Sequence, residues 1–304
     1  MAKFSATNFH EFHQLNKEMQ NISDHNKGIL AVFLTAILWS SGGLFIKLIS
    51  LDSMELSFFR CAIAAVVFAI MFRKRILKLN SLALLNSFAY AAVLILFVIA
   101  TKTTTAANAI FLQSTAPIYV LIFEPLLTKT KWERINIITI VVCFLGMILF
   151  FMGDLTPGDI KGNIAALLAG VAFAAFFLGM KKNEPQYGES SIFYGNVIVA
   201  LICIPFITEM NSISLQDFAM VSFLGVFQIA FAYALFSYGL KRIIAVEASI
   251  ISMFEPVLNP IWVFIGYGEV PSFYAIIGGI IIMTAITVRT LISNSDFIKT
   301  KFRF

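Results

Sequence analysis

Glu255 stands in an almost wholly apolar run, Ile250-Ile251-Ser252-Met253-Phe254-Glu255-Pro256-Val257-Leu258. An ionisable group in such surroundings is costly to keep and reads as a functional site: it can bind a proton or pair with a cationic solute. The alternative is an acceptor for backbone or Ser/Thr donors where prolines open a helix. Gln113, Gln228, Asn259 and Ser40 add hydrogen-bonding groups to other apolar runs, and Trp39, Tyr90 and Tyr233 offer apolar or cation–π faces. Their other use is interhelical bonding and packing. Glu124 and Glu247 fall one or two turns inside the ends of their runs. Each can line an inner vestibule, or reach the interface and pair with Lys129, Lys241 or Arg242. Arg60 is expected to be structural, reaching the outer interface or a helix end, with anion binding as its alternative. Pro117, Pro125, Pro256 and Pro260 each remove a backbone donor and bend a helix; at Pro117 and Pro256 the bends are expected beside a central cavity.

Other chemistry is missing from the chain. It has no HExxH, GxSxG or Walker pattern. His10, His13 and His25 fall in the polar amino-terminal stretch, and Cys61, Cys143 and Cys203 have no CxxC spacing. The expectation is therefore no enzyme, no metal and no cofactor.

The elements that must position these residues are membrane helices. Of the 304 residues 59% are hydrophobic and 13% charged, with a mean hydropathy of +0.88. Soluble domains carry about 25% charged residues, so the solvent for most of this chain is the lipid bilayer. From residue 28 onward apolar runs alternate with short polar links, and a helix needs about 20 residues to cross the hydrocarbon core. Ten spans follow, at roughly 28–50, 54–72, 81–101, 104–127, 134–152, 160–180, 191–208, 215–240, 244–267 and 272–292. With both termini in the cytoplasm, the inner segments hold eighteen of the 22 basic residues, the expected bias of cytoplasmic loops. That distribution also argues against a nucleic-acid partner, despite the net charge of +5.

The chain repeats itself. Gly28-Ile-Leu-Ala-Val…Trp39…Lys47 aligns without gaps on Gly162-Asn-Ile-Ala-Ala…Phe173…Lys181. Ala109…Ala116-Pro117…Ile122 aligns on Ala248…Glu255-Pro256…Ile261. Helices one and four thus correspond to helices six and nine. Five helices per copy is an odd number, so the second copy must enter the membrane from the opposite side. Inverted repeats of this kind are a recurring transporter design with the solute held near the midplane. The expected fold is all-α and integral to the membrane, with ten transmembrane helices as two inverted five-helix repeats. Residues 1–27 form a cytoplasmic polar tail, 28–152 the first repeat, 160–292 the second, and 293–304 a basic cytoplasmic tail.

These residues also resemble the drug/metabolite transporter superfamily, in its EamA branch of ten-helix carriers. The resemblance rests on Leu38-Trp39-Ser40-Ser41-Gly42, Phe59-Arg60, Ala106-Ala107-Asn108-Ala109 with Ala116-Pro117, and Leu240-Lys241-Arg242…Glu247-Ala248…Phe254-Glu255-Pro256, then Gly268-Glu269 and Gly278-Gly279. It covers nearly everything from 28 to about 290. The first half departs from it, lacking a Gly-Glu pair near Lys129-Thr130 and carrying Glu124-Pro125. The resemblance implies a secondary transporter of a small-molecule substrate, amino acids and related compounds first, working by alternating access in the cell membrane (a bacterial inner membrane) and coupled to protons or running as an exchange. Helices one, three, four, six, eight and nine are expected to line the path. The rival reading is a sensor or lipid-modifying enzyme that moves no solute.

Overall fold

The structure, a computed structural model, describes residues 6–104, 106–129, 131–152, 159–207, 213–267 and 272–301. Among them every regular element is a helix. In order these are α1 (Ala6–Ser40), α2 (Gly42–Leu48), α3 (Ser53–Phe72), α4 (Ser81–Thr103), α5 (Ala106–Gln113), α6 (Ala116–Thr128) and α7 (Arg134–Phe150). Then follow α8 (Ile160–Lys182), α9 (Gly188–Ile207), α10 (Leu215–Phe223), α11 (Ala232–Leu240), α12 (Ala245–Ser252), α13 (Phe254–Tyr267) and α14 (Phe273–Lys301). Several starts have local causes. Asp52 caps α3 in a reciprocal arrangement with Glu55, and the side chains of Asn80, Asp159 and Ser214 accept from the first free amides of α4, α8 and α10.

Among the described residues eight helical stretches are long and apolar enough to cross a membrane: Ser23–Leu48, Ser53–Leu77, Ser81–Thr103, Asn108–Thr128, Ile160–Lys182, Pro185–Ile207, Leu215–Leu240 and Phe273–Ile292. Their outer faces carry large exposed apolar side chains such as Ile70, Leu85, Leu168 and Leu201, as a lipid-facing surface requires. Helix α7 is apolar but only 17 residues long, and the run at 244–267 is divided into α12 and α13 by a break at Met253.

Three other differences from the expected spans bear on function. The stretch read as a polar tail is helical from Ala6 and continues straight into the first span. That span breaks at Ser41, where Gly42-Gly43 follow. The run at 104–127 breaks at Ser114-Thr115, just before Pro117. The span at 215–240 stays continuous but widens into a π-helix over Leu224–Phe231, a form found mostly at functional sites.

Packing pairs the helices in a regular way. α4 lies chiefly on α8 and α1 on α11, while α3 packs on α9 and α7 on α14. Small residues let backbones approach where no hydrophobic drive separates helix from lipid. The α7–α14 contact is the closest case: a Cβ on Gly278 would stand 2.5 Å from both the Gly146 carbonyl oxygen and the Phe150 nitrogen.

Candidate functional site

The two broken runs meet. A narrow cavity is lined by Gln113, Ser114, Ala116 and Pro117 from the α5–α6 break, and by Ser249, Ser252, Met253 and Glu255 from the α12–α13 break. Phe173 and Phe177 of α8 close its wall. The breaks have the same cause. A proline nitrogen cannot donate to the carbonyl four residues back, so Pro117 leaves the Gln113 carbonyl and Pro256 the Ser252 carbonyl without an α-helical donor. Gln113 and Ser252 are themselves equivalent in the sequence repeat, so each half contributes the same irregularity to one cavity.

The cavity is rich in acceptors. Ser114, Ser249 and Ser252 spend their hydroxyl protons on Ile110, Val246 and Ala248 carbonyls at 2.7–2.9 Å, which leaves oxygen lone pairs for other donors. Gln113 Oε1 is buried without a partner. Glu255 is half-buried, and among the described residues no Lys, Arg or His forms an ion pair with it. An array of this kind suits a donor-bearing or cationic group.

Behind the cavity stands an aromatic cluster. Trp39 contacts Phe173, Tyr233 and Phe236 at ring separations of 5.3, 4.8 and 5.4 Å, and Tyr233 contacts Tyr90 at 4.6 Å. Trp39, Tyr90 and Tyr233 are buried, and Trp39 Nε1 has no hydrogen-bond partner. The remaining expected residues form a second layer at the Ser41 break. Ser40 Oγ accepts from Trp262 Nε1 at 2.7 Å. A Cβ on Gly42 would stand 2.8 Å from Gln228 Nε2, and one on Gly43 3.0 Å from Asn259 Nδ2. These two glycines thus leave room for the amides of Gln228, in the π-helix, and Asn259, and each amide retains an oxygen without a partner.

Of the residues expected to bind solute, the structure brings Gln113 and Glu255 into the cavity, with Pro117. It puts Trp39, Tyr90 and Tyr233 behind one wall, and Ser40, Gln228 and Asn259 in the adjoining layer. Among the helices expected to line the path, those containing α5–α6, α8 and α12–α13 do so at the cavity itself. Phe173, Phe177, Ser114, Ser249, Ser252 and Met253 were not foreseen. Phe173 was findable, because the repeat alignment sets it opposite Trp39.

Glu124 and Glu247 have partners other than the expected Lys129, Lys241 and Arg242. Glu124 is 5% exposed and accepts from the Ala245 and Val246 amides at 2.8 and 2.7 Å, so it caps the amino terminus of α12, where the helix dipole favours negative charge. Glu247 bonds neither Lys241 nor Arg242. Its carboxylate takes Arg289 Nη1 at 2.5 Å and His25 Nε2 at 3.0 Å, and Arg289 Nε donates to Asn136 Oδ1 at 2.9 Å. His25 therefore belongs to the helix bundle and not to a free tail. Arg60 does not reach an interface: it is 1% exposed, inside the bundle. Gly268-Glu269 lies outside the described residues.

Apolar helices around a buried polar cavity define a multi-pass helical membrane protein. The profile of the EamA-like transporter family matches residues 26–152 and again residues 160–291. The chain belongs to that family, and so to the drug/metabolite transporter superfamily; it is a membrane transporter. It is 26% identical over 293 residues to a protein named an uncharacterized transporter in Archaeoglobus fulgidus, covering 88% of this chain and 98% of that one. A Clostridium kluyveri protein of the same description is 25% identical, with 84% and 91% covered. The transporter YdfC of Bacillus subtilis, likewise named uncharacterized, is 26% identical, with 75% and 78% covered. A solved crystal structure shares the fold, with a TM-score of 0.76 at 16% identity over 88% of this chain and 98% of that protein.

Proposed function

We propose that the chain is a secondary transporter of a small polar or amphipathic metabolite, with amino acids and related compounds as the first class. It works by alternating access in the cell membrane of a bacterium. Its ten spans form two inverted halves, residues 28–152 and 160–292, with both termini cytoplasmic. The observation that carries this reading is the cavity at the junction of two sequence-equivalent helix breaks, because irregular backbone at membrane depth is tolerated where it lines a cavity.

In this reading Glu255 holds the proton or the cationic end of the solute, and Gln113 and the three serines orient it. Gln228 and Asn259 recognise it on the side of the Ser41 break, and the aromatic cluster supplies the apolar face. Two polar belts flank the cavity. One joins Glu124, Glu247, Arg289 and His25. In the other, Lys47 Nζ donates to the Thr104 carbonyl at 2.9 Å, and Asp217 accepts from the Ser50 amide at 3.0 Å. Alternating access would loosen one belt at a time.

The test is a thermal-shift screen of the purified chain against amino acids, nucleosides and polyamines, followed by counterflow in liposomes for each compound that stabilises it. Ligand binding to the folded state raises apparent stability by mass action. A stabilising compound that also exchanges is the expected result. Stabilisation without exchange would favour a sensor. Glu255→Gln is expected to abolish the pH dependence of counterflow or to lower its rate at least tenfold; unchanged rate and pH profile would remove Glu255 from the mechanism.

A further inference from the structure

The least satisfied charge in the described structure is Arg60. Its side chain is 1% exposed, on α3 against the middle of α4. One bond is made, from Nη2 to the Leu94 carbonyl at 3.4 Å. Nε and Nη1 are buried without partners, and together they carry three N–H donors. Among the described residues no carboxylate forms an ion pair with it. A buried cation without a counter-charge is strongly unfavourable unless something supplies that charge. A structural arginine in this bundle would resemble Arg289, which has both Glu247 and Asn136.

The surroundings of Arg60 connect it to the cavity. The Leu94 carbonyl that Arg60 holds lies one turn beyond Tyr90 on α4, Tyr90 contacts Tyr233 at 4.6 Å, and Tyr233 is joined through Trp39 to Phe173 of the cavity wall. Tyr90 and Tyr233 therefore stand between the Arg60 contact on α4 and the aromatic wall of the cavity that Glu255 lines. Asn196, 0% exposed, donates to Tyr90 OH at 3.4 Å and keeps an Oδ1 without a partner. On the remaining side a Cβ at Gly225 of the π-helix would lie 2.9 Å from the Arg60 carbonyl oxygen, so the wide turn that carries Gln228 also abuts Arg60.

We propose that Arg60 is the anion-binding end of the solute site, and that the transported compound carries a free carboxylate. The guanidinium takes that carboxylate while Glu255 takes the cationic or donor end. Tyr233 and Tyr90 form the divider that must turn aside as the solute settles. This rests on the carrier reading above. It also narrows that reading: a zwitterion is matched at both ends, a simple amine at only one.

The experiment uses the full chain in detergent and in liposomes, wild type beside Arg60→Gln and Arg60→Lys. Thermal unfolding is followed with acetate, acetamide and chloride, then with an amino-acid mixture and the corresponding amides. Acetate and the amino acids are expected to stabilise wild type. Acetamide and the amides should act about 10- to 100-fold more weakly, the range for loss of a hydrogen bond to a charged group. Arg60→Gln should lose that preference and keep or raise its own melting temperature, since an unpaired buried charge has gone; Arg60→Lys should keep part of the preference. A lower melting temperature for Arg60→Gln with its carboxylate preference intact would mean a structural arginine and overturn the proposal. Chloride stabilising as well as acetate would overturn the carboxylate assignment. Counterflow reads the carrier separately: exchange of solutes by wild type with no carboxylate preference leaves the carrier standing and removes Arg60 from its site.

Discussion

At the residue scale the ionisable groups divide by what surrounds them. Glu124 has two backbone amides to hold, whereas Glu247 has a cation and an imidazole. Both side chains are therefore spent on joining helices that are distant in sequence. Arg289 and Glu247 are 1% and 2% exposed, and removing one member of such a pair leaves the other charged and buried, a cost of about 3–5 kcal/mol. Glu247→Gln is accordingly expected to lower unfolding stability by about 3 kcal/mol, measured by thermal unfolding in detergent. The double variant Glu247→Leu/Arg289→Met should recover most of the loss, because apolar residues of similar volume often replace a buried pair at little cost. Failure of the double variant to recover would mean that the pair fixes the geometry of this end of the bundle. Among the described residues Glu255 has no such partner, and in the proposed reading that difference separates a solute-binding carboxylate from a structural one more clearly than depth in the membrane does.

At the element scale the interruptions matter more than the helices. Pro117 and Pro256 each stand two or three residues after a break, and the cavity lies between them. Pro256→Ala restores the missing donor, so a helix can run through Met253 and carry Glu255 round with it. The expected result is a chain of equal or greater thermal stability whose counterflow is reduced about tenfold or more, since small displacements of a binding group are costly. Unchanged counterflow would mean that the break is packing only. Hydropathy made the apolar runs legible, and each contains helix where it was read. The proline-marked breaks were legible as bends. The break at Ser41 and the π-helix were not, because both depend on what lies opposite: Gly42 and Gly43 leave space that Gln228 and Asn259 occupy. The partners of Glu247 were illegible for a similar reason. Arg289 is 42 residues away and His25 is 222, and only the order of helices in the bundle brings them together.

At the scale of the whole molecule the two halves make the same contacts. Lys47 and Lys181 are equivalent in the repeat. Lys47 donates to the carbonyl of Thr104, just past α4, and Lys181 to the carbonyls of Leu240 and Ile243 at 3.1 and 2.8 Å, at the end of α11. Each lysine thus neutralises the carboxyl-terminal end of the third helix of its own half, where the helix dipole favours a cation. The pairing of α4 with α8 is answered by that of α11 with α1. Five spans per half would send the two lysines to opposite faces of the membrane, which is a matter of topology and can be tested directly. The three native cysteines are fully buried, so they form a silent background for labelling. Lys161 and Lys131 are both exposed. With the amino terminus in the cytoplasm, Lys161→Cys should react with a membrane-impermeant maleimide in intact cells, and Lys131→Cys only after permeabilisation. The reverse pattern would invert the orientation and send the belt of Glu247, Arg289 and His25 to the outer face. Reaction of both in intact cells would break the count of spans between them, and with it the proposed inverted repeat and alternating access.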